Sequence, residues 1–255
     1  MKFIVFDIET QGLREEALAL AEPFKDYEPL PPFDPKSVKI GNLKDADKIA
    51  AKIRAEEEAY PQKVKEHKEI YNKAKFEYET KIVSKAALNA LCARVIAIGV
   101  KDEKFETIIS GEEAFILKSF WELYGTRTET FIGWNINTFD IPFLVRRSWA
   151  CGVIVPNIFN GRFLNSKFLD LMEKFACGEY GYKLSLDKAA QFLGVPGKYK
   201  GNCAGDTFAD KYLSADPVFK AEAEEYLKCD LRATWNVAER LFATEKKEDL
   251  ENEFC

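Results

Sequence analysis

The chain has no C-x-x-C pair. Its six cysteines, Cys92, Cys151, Cys177, Cys203, Cys229 and Cys255, are widely scattered. Neither a zinc site nor a disulfide framework is signalled, and free thiols in a reducing compartment fit this pattern. There is also no apolar run long enough to span a membrane. The run from Phe3 to Phe6 follows one lysine and is broken by Asp7, which is too short for the core of a secretion signal. Secretion and membrane insertion are therefore not expected, and a cytoplasmic location is. A basic excess is missing too: 37 Lys and Arg against 42 Asp and Glu leave a net charge of −5. That argues against nucleic-acid binding over the whole surface but leaves room for a local basic groove. Arg146 with Arg147, Arg162 with Lys167, and Lys198 with Lys200 are its candidates, although each pair taken singly reads first as solvated surface charge. The single histidine, His67, falls in a highly charged stretch and is expected at the surface.

What the chain does have is enough apolar material for a full core. At 255 residues with 47% hydrophobic and 13% aromatic content, it can form one domain, or one domain with an insertion. The first nine residues after Met1 organise the rest. Phe3-Ile4-Val5-Phe6 and Ile8 read as a buried strand, and a period of two aims Asp7 and Glu9 at the same side of it. Two like charges at the end of a core strand need a counter-charge, and hard oxygen ligands suit Mg²⁺ or Mn²⁺. Taken alone, the pair reads equally as an acidic, solvated turn into Thr10-Gln11-Gly12.

Composition changes after a short helix over 15–20. Five of the ten prolines lie at positions 23, 29, 31, 32 and 35, so this segment is extended. From Lys44 to Lys81 about half the residues are charged with signs interspersed, which predicts a long exposed helix with a thin apolar stripe. Pro61 should break or kink it into two helices. The stretch from about 24 to 85 reads as a solvated helical insertion. The core resumes at Ala93 to Val100 as a β-branched strand, with Lys104 to Ser110 as its hairpin partner. An amphipathic helix follows over Gly111 to Tyr124, then a strand at Thr130 to Trp134. The order strand, insertion, strand, strand, helix, strand, helix predicts an α/β domain with a mixed sheet.

Asp140 follows in Asn135-Ile136-Asn137-Thr138-Phe139-Asp140-Ile141-Pro142, and by itself it would serve as a helix N-cap before Pro142. Its company is suggestive, since an asparagine and an exposed-looking phenylalanine beside a carboxylate at a strand-to-helix junction could hold a nucleotide. Phe168 to Met172 reads as a last short strand, with Asp170 at its end. Ser185 to Leu193 is a short helix stopped by Gly194 and Pro196. Gly197 to Asn202 forms a basic loop, suited to phosphate contacts and equally to a plain surface turn. The final helix starts at Asp216-Pro217 and runs to about Ala243, leaving a charged tail over 244–255. On this helix Tyr226 and Asp230 are four apart, so the phenol and the carboxylate can converge on one point.

Asp7 and Glu9 in Phe-Asp-Ile-Glu-Thr, Asp140 in Asn-x-x-x-Phe-Asp-x-Pro, and Tyr226 with Asp230 in Tyr-x-x-x-Asp resemble the DEDD superfamily of 3′–5′ exonucleases, in its tyrosine-containing branch. The chain looks most like the exonuclease domains of B-family DNA polymerases and their stand-alone phage or bacterial relatives. The resemblance covers residues 1–20 and 86–243; the insertion lies outside the superfamily's common core, within a single domain spanning 1–243. It implies a ribonuclease H-like fold with a five-stranded mixed sheet flanked by helices, and two divalent metal ions, Mg²⁺ or Mn²⁺. By that analogy Asp7 would touch both ions, and Glu9 and Asp230 would hold the one that activates water. Asp140 would act on the other through water, and Tyr226 would orient the attacking water. Asn135 and Phe139 would contact the terminal nucleotide, with Thr10 beside them.

The resemblance implies a metal-dependent nuclease acting on single-stranded or frayed DNA 3′ ends, bacterial or phage-encoded. A separate polymerase or recombination protein is the candidate protein partner. An exoribonuclease on the same scaffold is the first alternative, because sugar selection lies in pocket shape. A non-catalytic nucleic-acid-binding module is the second. Against it, a dead site has no physical reason to keep four unpaired carboxylates together.

Overall fold

The computed structural model describes residues 2–245 apart from 162, 199, 200 and 202. Arg162, the Tyr199, Lys200 and Asn202 of the basic loop, and the tail beyond 245 lie outside the described residues. In chain order the elements are β1 (Phe3–Gly12), α1 (Arg14–Leu20), α2 (Ala46–Val83), β2 (Ala93–Lys101), β3 (Glu106–Ser110), α3 (Glu113–Thr126), β4 (Thr130–Gly133), α4 (Asp140–Ala150), β5 (Phe159–Asn160), β6 (Phe163–Leu164), β7 (Phe168–Asp170), α5 (Leu171–Phe175), α6 (Leu186–Leu193), α7 (Gly205–Tyr212) and α8 (Pro217–Glu245). The chain divides into two units. One comprises the N-terminal segment to Leu13 and the chain from Ala86 onward, and the other is Arg14–Lys85. Among the described residues no helix is long and apolar enough to cross a membrane.

The first unit is built on a mixed five-stranded sheet in the order β3-β2-β1-β4-β7. β2 runs antiparallel to β1 and to β3, whereas β4 is parallel to β1 and β7 parallel to β4. The alternation along β1 sends Ile4, Phe6 and Ile8 to one side, against Phe120 and Tyr124 of α3 and Leu144 of α4. Phe3 and Val5 face the other side, with Leu186 of α6 and Leu231 and Val237 of α8. The same period puts Asp7 and Glu9 on the α8 side. The ladder to β2 shifts only after Glu9, between it and Thr10, so this bulge leaves the pair on one face, and the strand runs on in the shifted register to Gly12.

A glycine lets α8 come close. Gly99 pairs with Asp7 across the ladder, and a Cβ there would stand 2.9 Å from Leu227 Cγ and from Leu231 Cδ1. With no side chain at that point, α8 lies directly on the strand, and the turn between Leu227 and Leu231 carries Asp230.

Three local readings differ from the structure. Leu171 and Met172 are the first turn of α5 rather than strand, because Asp170 caps that helix by accepting from the amides of Met172 and Glu173. The two-residue strands β5 and β6 and the helix α7 have too little periodicity to be read from sequence. Asp140 is also not a cap: Phe139 holds that position with no side-chain bond, and Asp140 is the first residue of α4.

In the second unit, α2 is one uninterrupted helix of 38 residues with Pro61 inside it and no buried residue. The expected break is absent although an interior proline costs about 3 kcal/mol. Contacts on both sides of it brace the helix. Lys63 pairs with Glu56 at 2.5 Å across the proline. The proline-rich strand runs back along the helix, with Phe33 against Tyr60, Tyr27 against His67 and Tyr71, and Phe24 against Tyr71 and Tyr78. The phenols of Tyr60, Tyr71 and Tyr78 donate to the carbonyls of Pro31, Lys25 and Glu22. His67 is accordingly half-buried beneath Tyr27 rather than a solvated surface residue.

If Gly99 admits α8, Gly99→Val should destabilise the protein by about 1–3 kcal/mol through overpacking against Leu227 and Leu231. The midpoint of urea unfolding measures this, and an unchanged midpoint would show that the helix does not press on the strand.

Candidate active site

The end of β1, the start of α4 and the middle of α8 bring the acidic residues together. Glu9, Asp140 and Asp230 are 8%, 2% and 3% exposed, and Asp7 is half-buried. Asp140 Oδ1 accepts from the Ile8 amide at 3.2 Å, which ties α4 to β1 between Asp7 and Glu9. The loop from β4 to α4 is set by Gly133 and Asp170. A Cβ on Gly133 would meet the Phe6 carbonyl at 2.9 Å, so only glycine lets the loop fold back over β1. Asp170 then accepts from the amides of Asn135 and Asn137, both at 3.0 Å. Asn135 takes a left-handed conformation, with φ of 65°, one that asparagine tolerates better than most residues.

The carboxylates raise one another's pKa. Asp7 is pushed up to about 7 by burial and by Asp230. Glu9 lies well above the usual carboxylate range through burial, Asp7 and Asp230, and Asp140 does so through burial and Asp7. Asp230 is raised by burial, opposed by Lys198. Its Oδ2 stands 2.5 Å from Lys198 Nζ. Burial, Asp230 and Glu9 push the Tyr226 phenol up, so it stays protonated at neutral pH and is a hydrogen-bond donor.

Four carboxyl groups face one ammonium, that of Lys198. Asp230 Oδ1 is buried without a hydrogen-bond partner. This donor set, all hard oxygens with one left orphaned, fits a divalent cation such as Mg²⁺ or Mn²⁺. Among the described residues no group of three or more His, Cys, Asp or Glu side chains is disposed to hold an ion as it stands. Asp7, Glu9, Asp140 and Asp230 are the residues that could hold one.

A cleft of about 480 Å³ opens beside them, lined by Asp7, Trp134, Asn135, Thr138, Lys183, Lys198 and Asp230, among others. Asn135 is thus part of the wall of this cleft. Phe139 is half-buried with its ring against Phe143, and Thr10 donates its hydroxyl to the Ala87 carbonyl at 2.6 Å; neither lines this cleft. Sequence reasoning missed Trp134 and Lys183, which carry no motif that marks them. It read Lys198 as a member of a basic groove, whereas the residue points into the acidic cluster. The other groove candidates have different roles. Arg147 forms a two-pronged bridge to Glu113, and Lys167 donates to the carbonyls of Tyr124 and Arg127. Arg146 is exposed, while Arg162 and Lys200 are outside the described residues.

Residues 77–253 match the model of a family described as a predicted 3′–5′ exonuclease related to the exonuclease domain of PolB. That segment contains Asp140, Tyr226 and Asp230 and leaves Asp7 and Glu9 outside it. No curated protein matches the chain. Among solved structures, the family B DNA polymerase from the hyperthermophilic archaeon Pyrobaculum calidifontis matches with a TM-score of 0.50 and 22% identity. The match covers 60% of this chain and 22% of that one, so the chain spans about a fifth of the polymerase. At this identity the likeness is one of fold: a mixed five-stranded sheet flanked by helices, consistent with the ribonuclease H-like exonuclease fold.

The raised carboxylates set a pH dependence. An acid whose folded pKa exceeds its unfolded value near 3.8 leaves the native state holding the extra proton between the two values, so stability falls as pH rises through that window. Asp102 and Glu129, held low around Arg127, act oppositely and only in the more acidic range. The melting temperature of ion-free protein in chelator should therefore fall from pH 5 to 8, and Asp7→Asn should flatten that slope. A slope that rises with pH, or one untouched by Asp7→Asn, would contradict the arrangement.

Proposed function

The chain belongs to the family of predicted 3′–5′ exonucleases related to the exonuclease domain of PolB, and from that premise we propose that it removes nucleoside monophosphates from DNA 3′ ends. The preferred ends are single-stranded or frayed. The exonuclease domain is the first unit, and Arg14–Lys85 is an insertion in it. One observation carries the reading: carboxylates from β1, α4 and α8 cluster closely enough to raise one another's pKa, beside a tyrosine one helical turn from the last of them. Nothing in ordinary folding favours such a cluster, because each member raises the cost of the others.

Two divalent ions, Mg²⁺ or Mn²⁺, held by Asp7, Glu9, Asp140 and Asp230 would supply the positive charge that makes water acidic enough to attack and that offsets the charge growing on the leaving 3′ oxygen. The protein's own groups do the rest. The Tyr226 phenol, kept protonated by its carboxylate neighbours, donates a hydrogen bond that orients the attacking water in line with the phosphorus. Asn135 presents its amide to the terminal nucleotide from the wall of the cleft. Phe139, half-buried beside Phe143 and outside the lining of the cleft, is the proposed stacking partner of a base. The Ile8 amide, donating to Asp140, holds that carboxylate toward the end of β1. An anionic substrate and an acidic protein are reconciled because bound cations invert the local field.

Asp7→Ala should abolish Mg²⁺-dependent cleavage of a 3′-labelled oligonucleotide while the circular dichroism spectrum stays native; wild-type activity in this variant would sink the assignment. Tyr226→Phe should lower kcat on the order of 10²-fold with metal binding intact, and an unchanged rate would remove the tyrosine from the mechanism. Matched DNA and RNA oligonucleotides with Mn²⁺ test the sugar preference: DNA should be degraded faster, and faster loss of RNA would reassign the enzyme as an exoribonuclease.

A further inference from the structure

Lys198 occupies an unusual place for a lysine in a glycine- and proline-rich loop. Its Nζ is 2.5 Å from Asp230 Oδ2, with 34% of the lysine side chain and 4% of the aspartate side chain exposed. It also lies 5.8 Å from the centroid of the Tyr226 ring. The loop that delivers it is stitched down on both sides. The Val195 amide donates to the Ala190 carbonyl at 3.0 Å, the Lys198 amide to Asp187 Oδ1 at 3.2 Å, and Asn236 Nδ2 to the Pro196 carbonyl at 3.3 Å. At Gly197 the backbone passes so near Asp187 that a Cβ would stand 2.4 Å from Oδ1. The backbone from Val195 to Lys198 is therefore tied to α6 and, through Pro196, to α8, while the flexible lysine stem reaches the acidic cluster.

An ammonium and a divalent cation seek the same carboxylate oxygens. Asp230 offers Oδ2 to the lysine and keeps Oδ1 unpartnered, and among the described residues no acidic group of three is yet disposed to hold an ion. We propose that Lys198 is the resident cation of the ion-free site: it competes with the divalent metal for Asp230 and is displaced from it when the metal binds. This rests on the metal-dependent reading of the same site. The lysine lets the carboxylates stay folded together before an ion arrives, and its pairing with Asp230 sets how much free metal is needed to load the site. Because the coupling is reciprocal, whatever the lysine gains from Asp230 is subtracted from metal affinity.

Titration of the full chain with Mn²⁺ alone, followed by calorimetry, tests this with Lys198→Met and Lys198→Arg beside the wild type. Lys198→Met should bind Mn²⁺ on the order of tenfold more tightly and melt at a lower temperature in chelator, with the deficit removed at saturating Mn²⁺. Lys198→Arg, which keeps the charge, should bind close to wild type. The wild type itself gives a second readout: acetylation of Lys198 by an amine-reactive reagent, followed by mass spectrometry, should increase when Mn²⁺ is added. Equal or weaker Mn²⁺ binding by Lys198→Met, or unchanged protection of Lys198 with Mn²⁺ bound, overturns the proposal and leaves the metal-dependent reading standing. A wild type that binds no Mn²⁺ overturns both. If Lys198→Met does not fold, the acetylation result on the wild type decides.

Discussion

Mutual repulsion among buried carboxylates is the constraint on which the site depends. Asp7, Glu9, Asp140 and Asp230 come from a strand end, a helix start and the middle of a long helix, and each is pushed toward its neutral form by burial and by at least one of the others or its surroundings. Burying one unpaired carboxylate is costly, and burying several together is more so. The rest of the first unit supplies the packing that holds them there. Both faces of β1 are covered by apolar clusters, Gly99 and Gly133 allow α8 and the β4–α4 loop to approach, and the Ile8 amide fixes Asp140. The position of Lys198 follows from the same constraint, since a cation is what the cluster requires.

The second unit solves a different problem. α2 has no buried residue and a proline in its interior, so neither core packing nor local propensity suffices to hold it. The proline-rich strand supplies what is missing. Prolines keep it extended, which places Phe24, Tyr27 and Phe33 at intervals that match aromatic residues on the helix. Tyrosine hydroxyls then satisfy carbonyls that an extended, unpaired strand would otherwise leave to water. A segment that looks like a linker and one that looks like a solvated arm are each the other's support.

Much of this was legible in the chain. The alternation in Phe3 to Ile8, the β-branched run from Ala93 and the helical spacing of Leu117, Phe120, Trp121 and Tyr124 each reported a buried face, because burial acts on sequence with the period of the element. Four of the five functional candidates were legible because Asp7 and Glu9 lie two apart on a strand and Tyr226 and Asp230 four apart on a helix. Those spacings put each pair on one side whatever the rest of the chain does. Less legible were features that depend on what lies across a gap. Pro61 signals a break unless Phe33, Tyr27 and Lys63 brace the helix around it, and His67 is a surface residue unless Tyr27 covers it. Asp140 reads as a cap until the Ile8 amide, 132 positions away, competes for its carboxylate.

The sequence by itself determined the order of the main strands and helices and the faces on which Asp7, Glu9, Tyr226 and Asp230 stand. Those properties are local, fixed by backbone periodicity and side-chain type. Only the tertiary structure decided that Lys198 faces Asp230 rather than solvent, that Arg147 and Lys167 are bound up in bridges and carbonyls, and that Trp134 and Lys183 line the cleft. A charged side chain is long and flexible, and its partner is chosen by whichever opposite charge or carbonyl the fold brings within reach. No spacing along the chain records that choice.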